Sequence, residues 1–294
     1  VVLGTGAQSA ASLRVDGGGS LTINAGTLTI AGASEINGNL TINGGTLAGT
    51  GNVTVSGTLT WTGGTMTGAG TTAANGPFNI SGAVVKDLTS NRIFNNNLTA
   101  TWTGTGGIRI GTGAVLNNNG TWDAQNDTTI SIQFTGPAAV NNVGTFKKSA
   151  GSGSTAISIN FNNTGTVLVQ SGTLSVSGGG SSSAAFNVAS VAATMQFAGS
   201  AYDLNAGTTF TGPGTALSTG TLNVNTAIGI PATMTFTMTG GIVQGTGTLT
   251  TAGTLNWSGG TMTGAGTTTA NGPFNISGAA VKDLTSNRIF NNNL

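Results

Sequence analysis

The side chains able to do acid–base or nucleophilic chemistry in this 294-residue chain are few: 8 Lys and Arg, 7 Asp and Glu, and no His or Cys. Without His there is no imidazole base or imidazole metal ligand, and without Cys there is no thiol nucleophile and no disulfide framework. One group in the middle of the chain remains for a reaction to use: Arg109, Asp123, Asp127, Lys147 and Lys148. Gathered on one face, such residues would form the groove of a polysaccharide lyase or hydrolase, where acids with displaced pKa values converge on the sugar linkage. Only one acid pair is present and no supporting cluster surrounds it, so no catalytic residue is expected and the chain reads as a non-enzyme. Asp123 and Lys147 each follow a glycine by three residues (Gly120, Gly144). That spacing predicts an ion pair between successive turns of one structure.

The second charged group is Lys86, Asp87 and Arg92 in the segment KDLTSNR, which returns as Lys282, Asp283 and Arg288. It reads as a solvated loop with an Asp-capped turn and a local Asp–Arg pair. The functional alternative is a lateral contact made once per repeat along a fibre. No metal is expected, because Asp16, Asp123, Asp127 and Asp203 lack the spacing of a calcium-binding nonapeptide. No cofactor is expected either. A net charge of +1 without basic clusters argues against a nucleic-acid partner. No apolar run approaches the ~20 residues of a membrane helix, so no membrane insertion is expected. Trp61, Trp102, Trp122 and Trp257 fall in the apolar alternation and read as packing residues rather than sugar platforms.

The elements that would position these groups are legible from repetition on two scales. Residues 57–98 recur at 253–294 with 38 identities in 42 positions, an offset of 196. Residues 1–98 therefore read as the C-terminal half of a preceding 196-residue module, and 99–294 as one full module continuous with it. Leu294 is the equivalent of Leu98, where the repeat runs on, and Val1 opens without an initiator Met or basic leader; the chain reads as an internal piece of something longer. Within the module, glycines at 19, 26, 32, 38, 45, 51, 57, 64 and 70 mark a 19-residue unit with three sides. Most sides read Gly-x-apolar-x-apolar, as in Leu21/Ile23, Leu28/Ile30, Leu40/Ile42, Val53/Val55 and Leu59/Trp61. Alternation of period two predicts short strands, and glycine at each start supplies a tight bend. The chain holds 51 Gly, 53 Thr and 31 Asn. On this plan they are corners and outward positions rather than signs of disorder.

The predicted fold is all-β, a right-handed three-sided parallel β-solenoid (β-helix) with coils of about 19 to 24 residues. In the middle of the chain Phe94, Leu116, Val140 and Phe161 form one predicted core column, each followed by an Asn run. Asn96, Asn118, Asn142 and Asn163 should then hydrogen-bond from coil to coil as a structural ladder. Thr22, Thr41 and Thr60 share an outward column, which raises an ice-binding surface as a further alternative.

The 19-residue coil with Gly-Thr/Asn-Leu-Thr-Ile sides resembles filamentous-haemagglutinin-like and autotransporter-like bacterial exoproteins. The segment FNNTGTVLVQSGTLSVSGGG (161–180) is similar to the β-strand repeats of very large bacterial surface proteins. The resemblance implies export to the cell surface or beyond, a right-handed β-helix, and a stalk, adhesin or fibre role, and it carries over no catalytic residue. The expected function is a non-catalytic structural segment whose partner is itself, joined head to tail through solenoid edges. An adhesin that binds surface glycans is the alternative.

Overall fold

The computed structural model describes all residues, Val1–Leu294. It contains 43 short strands and no helix. Every recorded strand pairing is parallel, between one coil and the next, so the fold is a parallel β-solenoid. Two compact units are distinguished, Val1–Phe146 and Lys147–Leu294.

In the first unit three sheets run the length of the unit, one per side of the coil. The earlier coils keep the 19-residue step, with Leu21, Leu40, Leu59 and Phe78 in one column. The step then widens: Phe78 pairs with Ala100 and Ala100 with Trp122, 22 residues each, and Leu116 pairs with Val140 across 24. The interior follows this change. Narrow coils bury mostly Leu, Ile and Val, with Trp61 the large exception, whereas the wider ones bury Phe78, Phe94, Trp102, Trp122 and Phe146. Phe78 and Phe94 have ring centroids 4.7 Å apart, and Trp122 stacks on Phe146 at 6.2 Å. A longer perimeter encloses more cross-section, and only large side chains fill it at native packing density.

The second unit repeats the scheme with one change. Its first side carries the strands Thr166–Val169, Ala185–Val188 and Thr209–Thr211, after which a separate four-stranded sheet begins at Ile228–Ile230 and includes Thr248–Thr251, Thr267–Ala270 and Ile289–Asn292. The three-sided reading therefore gains a small fourth sheet. Phe186, Phe197, Tyr202 and Phe210 fill the wide coils here, and Phe186 stacks on Phe210 at 5.2 Å.

Glycine at the corners is required for a reason beyond bending. A Cβ on Gly57 would lie 2.1 Å from the carbonyl oxygen of Gly38 one coil earlier, and one on Gly76 would lie 2.2 Å from that of Gly57. Neither needs a positive φ; the chain simply passes too close to itself for a side chain. Gly64 needs both, with φ +81° and a Cβ 2.2 Å from the Gly45 oxygen.

Candidate functional site

The strand Lys86–Leu88 sits on the second side of its coil, between Gly64–Met66 and Ile108–Ile110. Strand alternation turns Lys86 and Leu88 inward and Asp87 outward. Lys86 is fully buried, and its ammonium donates to the carbonyls of Val84 at 2.8 Å and Gly106 at 3.4 Å. Burial pulls its pKa from 10.5 down to about 8.

Arg92 is buried as completely. Its guanidinium Nε and Nη2 donate to Thr72 Oγ1 at 3.1 and 2.7 Å. Nη1 reaches the carbonyls of Gly49 and Gly51 at 3.2 and 3.4 Å, two coils earlier, and Nη2 the carbonyl of Thr71 at 3.5 Å. Burial without a carboxylate in this set pulls the guanidinium down to about 10, so it stays charged at neutral pH. One side chain thus ties three coils together through backbone oxygens.

These placements correct the sequence reading of KDLTSNR as a solvated loop. Lys86 and Arg92 are interior groups and present no lateral contact. The expected Asp87–Arg92 pair is also replaced. Asp87 is in register with Arg109 of the next coil, whose Nε and Nη2 donate to its two carboxylate oxygens at 2.6 and 2.7 Å. The Arg109 guanidinium also lies 5.8 Å from the centroid of Phe134. The bidentate bond holds Arg109 above its ordinary pKa. In the later copy Arg288 repeats the hydrogen bonds to Thr268 Oγ1, at 3.1 and 3.0 Å, and burial lowers its pKa likewise. Lys282 is half-buried and donates to Gly278 and Ala280 carbonyls, both at 2.8 Å, while Asp283 is exposed.

The residues of the proposed groove do not converge within the first unit. Arg109 belongs to the strand Ile108–Ile110 and Asp123 to Thr121–Ala124, which lie in different sheets. Asp123 is nearly buried and accepts from Gln125 Nε2 at 2.9 Å, and Asp127 is exposed. Lys147 and Lys148 belong to the second unit. Lys148 is buried there, donating to the Ala150 carbonyl at 3.0 Å and Thr155 Oγ1 at 3.1 Å. The threonine columns are short: Thr22, Thr41 and Thr60 are followed in register by Asn79, and Thr27, Thr46 and Thr65 by Asp87.

Asparagine does more than one ladder requires. Asn96 donates to Asn118 Oδ1 at 2.8 Å and Asn118 to Asn142 Oδ1 at 2.7 Å, all three buried. Asn96 and Asn118 also donate to the carbonyls of Thr121 and Thr145, both at 2.9 Å. Asn163 donates to Ser182 Oγ at 3.1 Å. Two outer columns flank the inner one. Asn117 donates back to Asn95 and Asn141 back to Asn117, both at 2.9 Å; Asn97 donates back to Asn75 at 2.7 Å and Asn119 back to Asn97 at 2.8 Å. The inner column therefore donates toward the C-terminal end and the outer columns toward the N-terminal end.

Sequence reasoning missed the burial of Lys86 and Arg92 and the outer amide columns. A signal existed for Arg92. Thr72 occupies an inward position between Val53 and Phe94, and Thr268 stands likewise between Leu249 and Phe290. A hydroxyl in a core column announces a polar partner in the core. Tyr202 was also unremarked; it is buried, donates to the Ser181 carbonyl at 3.1 Å, and its phenol is pushed up by burial and by Asp203.

The displaced Lys86 has a measurable consequence. The folded state binds this proton more weakly than the unfolded state, so protonation opposes folding below about pH 8. Stability should rise as pH climbs from about 8 toward the ordinary lysine value, by about 2–3 kcal/mol from the size of the shift. The neutral amine still carries hydrogens for its carbonyl partners. Denaturant unfolding from pH 7 to 10 should show this rise, and Lys86→Met should abolish it.

Compared with protein-family models, with curated proteins and with solved structures, the chain finds no match in any of the three.

Proposed function

We propose that this chain is a non-catalytic structural segment of a repetitive bacterial extracellular fibre, stalk or surface protein, similar to the filamentous-haemagglutinin-like and autotransporter-like exoproteins. The observation that carries the reading is where the charge goes. Lys86, Arg92, Lys148 and Arg288 are buried against backbone and hydroxyl oxygens, and Arg109 is clamped by Asp87. Lys86, Arg92 and Arg288 reach oxygens of neighbouring coils and Asp87 holds Arg109 of the next one, coil-to-coil cohesion that supports the structural reading. Parallel ladders, amide columns and apolar interiors act in the same direction, and each coil is stabilised by its neighbours.

The segment extends by end-to-end joining of coils through open sheet edges. Polypeptides of one, two and three tandem modules, imaged by electron microscopy, should lengthen by a constant ~45 Å per module at constant width, from about nine coils at the strand spacing. Particles that grow in all dimensions instead would overturn the reading.

A glycan-binding adhesin is the second reading. It is favoured by an open groove of about 300 Å³ lined by Arg14, Ser34, Glu35, Asn52 and Thr54. Binding to a glycan array that is lost in Arg14→Ser, with the fold intact, would establish it.

A further inference from the structure

The chain contains five Asn-Gly steps, at Asn37, Asn43, Asn75, Asn119 and Asn271. The step at Asn43 forms the corner between the strands Asn39–Ile42 and Thr46–Ala48. A Cβ on Gly44 would lie 2.7 Å from the Asn24 carbonyl oxygen one coil earlier, so the coil requires glycine there. Glycine is also the residue whose amide nitrogen is least hindered in attacking the side chain that precedes it.

The five steps differ in what holds the glycine N–H. Gly76, Gly120 and Gly272 donate to the carbonyls of Val55, Asn96 and Thr251 at 3.3, 3.0 and 3.2 Å. Gly44 donates to no carbonyl, and both Asn43 and Gly44 are exposed. Gly38 likewise donates to none, but it is buried, away from the solvent base that must take its proton. The Asn43 side chain is held in a complementary way. The Thr62 hydroxyl of the next coil donates to its Oδ1, while its Nδ2 reaches only to Asn24 Oδ1 at 3.4 Å. The Asn119 Nδ2, by contrast, donates to Asn97 Oδ1 at 2.8 Å.

We propose that Asn43 is a site of spontaneous covalent modification, converting through a cyclic imide to aspartate and isoaspartate in the folded chain. Solvent hydroxide removes the Gly44 N–H proton, and the nitrogen attacks Asn43 Cγ. The new C–N bond closes a five-membered ring while Thr62 hydrogen-bonds the oxygen that gathers negative charge. The Cγ–Nδ2 bond then breaks, and the departing nitrogen takes a proton from water and leaves as ammonia. Water opens the ring, giving aspartate by cleavage at Cγ or isoaspartate by cleavage at the backbone carbonyl. The balance is one water consumed and one ammonia released. Either product adds one carboxylate and takes the formal net charge from +1 to 0. Isoaspartate also adds a backbone carbon to a corner whose next residue, Gly45, donates to the Ile23 carbonyl at 3.4 Å.

The test incubates the full folded chain at neutral pH and follows conversion at all five asparagines by peptide mapping and mass spectrometry. Each rate is divided by that of the same asparagine in the chain unfolded in denaturant, which removes local sequence effects. On this scale Asn43 should convert at least about tenfold faster than Asn75, Asn119 and Asn271, whose glycine N–H groups must first leave a hydrogen bond. Asn37 should also lag behind it. Thr62→Val should slow conversion at Asn43 by about tenfold, and Thr62→Ser should restore it. Conversion of Asn43 no faster than that of Asn119 would overturn the site. Conversion unchanged or accelerated in Thr62→Val would overturn the part given to the hydroxyl.

Discussion

Arg92→Ala should destabilise the coils around it by about 3–5 kcal/mol, the largest effect expected of a single substitution in this chain. Truncation removes the donor that serves Thr72 Oγ1 and the carbonyls of Gly49, Gly51 and Thr71, and it opens a cavity where a side chain is fully buried. Each acceptor left in the interior costs about 1–3 kcal/mol, part of which relaxation recovers. Arg92→Lys should recover little, since one ammonium cannot span donors directed at two coils at once. A solenoid is a row of neighbour-coupled units, so the loss should appear first in hydrogen exchange of residues 49–92 and only later in global unfolding. Unchanged exchange there would show that the guanidinium contributes nothing beyond its own desolvation.

Asn118→Asp should cost a similar amount at neutral pH, about 3–5 kcal/mol, and should do so in a pH-dependent way. The wild-type amide accepts from Asn96 and donates to Asn142 Oδ1 and to the Thr145 carbonyl. A carboxylate keeps the first bond and turns a charged oxygen toward two other oxygens, inside a fully buried column. The new group's folded pKa is therefore raised above the unfolded value of about 3.9. The unfolded state then releases its proton first, and the penalty grows as pH rises through that value until the folded pKa is passed. Below it, the protonated acid donates to Asn142 and most of the stability returns. A variant whose unfolding midpoint stays flat between pH 3 and 7 would show that the column is hydrated.

The division between what was legible in the sequence and what was not follows the physics of each residue. Leu21, Leu40 and Leu59, spaced by 19 with glycines between them, specify a coil because hydrophobic burial depends on residue type and spacing alone. The Asn runs were legible for the same reason, since identical residues at identical positions can meet only in register. Lys86 and Arg92 were not, because the ordinary expectation for a charged side chain is solvent. The partners of Lys86 are also carbonyl oxygens, which carry no sequence signature, and Arg92 left only the inward Thr72 hydroxyl as its sign. Asp87 was paired in the sequence reading with Arg92, five residues away, although its partner Arg109 is 22 residues away. The nearer arginine points inward by strand alternation, and only the register of the wider coil reveals the one that points out.

The opposed directions of the amide columns carry a consequence for long stacks. A single column of aligned amides is a row of dipoles head to tail, like the backbone of a helix, and its ends would carry partial charges. The inner column of Asn96, Asn118 and Asn142 runs against its neighbour of Asn95, Asn117 and Asn141. Side by side on one strand, the two moments largely cancel, as they do between alternating dipoles in a sheet. The outermost column of Asn75, Asn97 and Asn119 has no opposed neighbour, so each added coil enlarges the moment of the network by about one column of amides rather than by the sum of all of them.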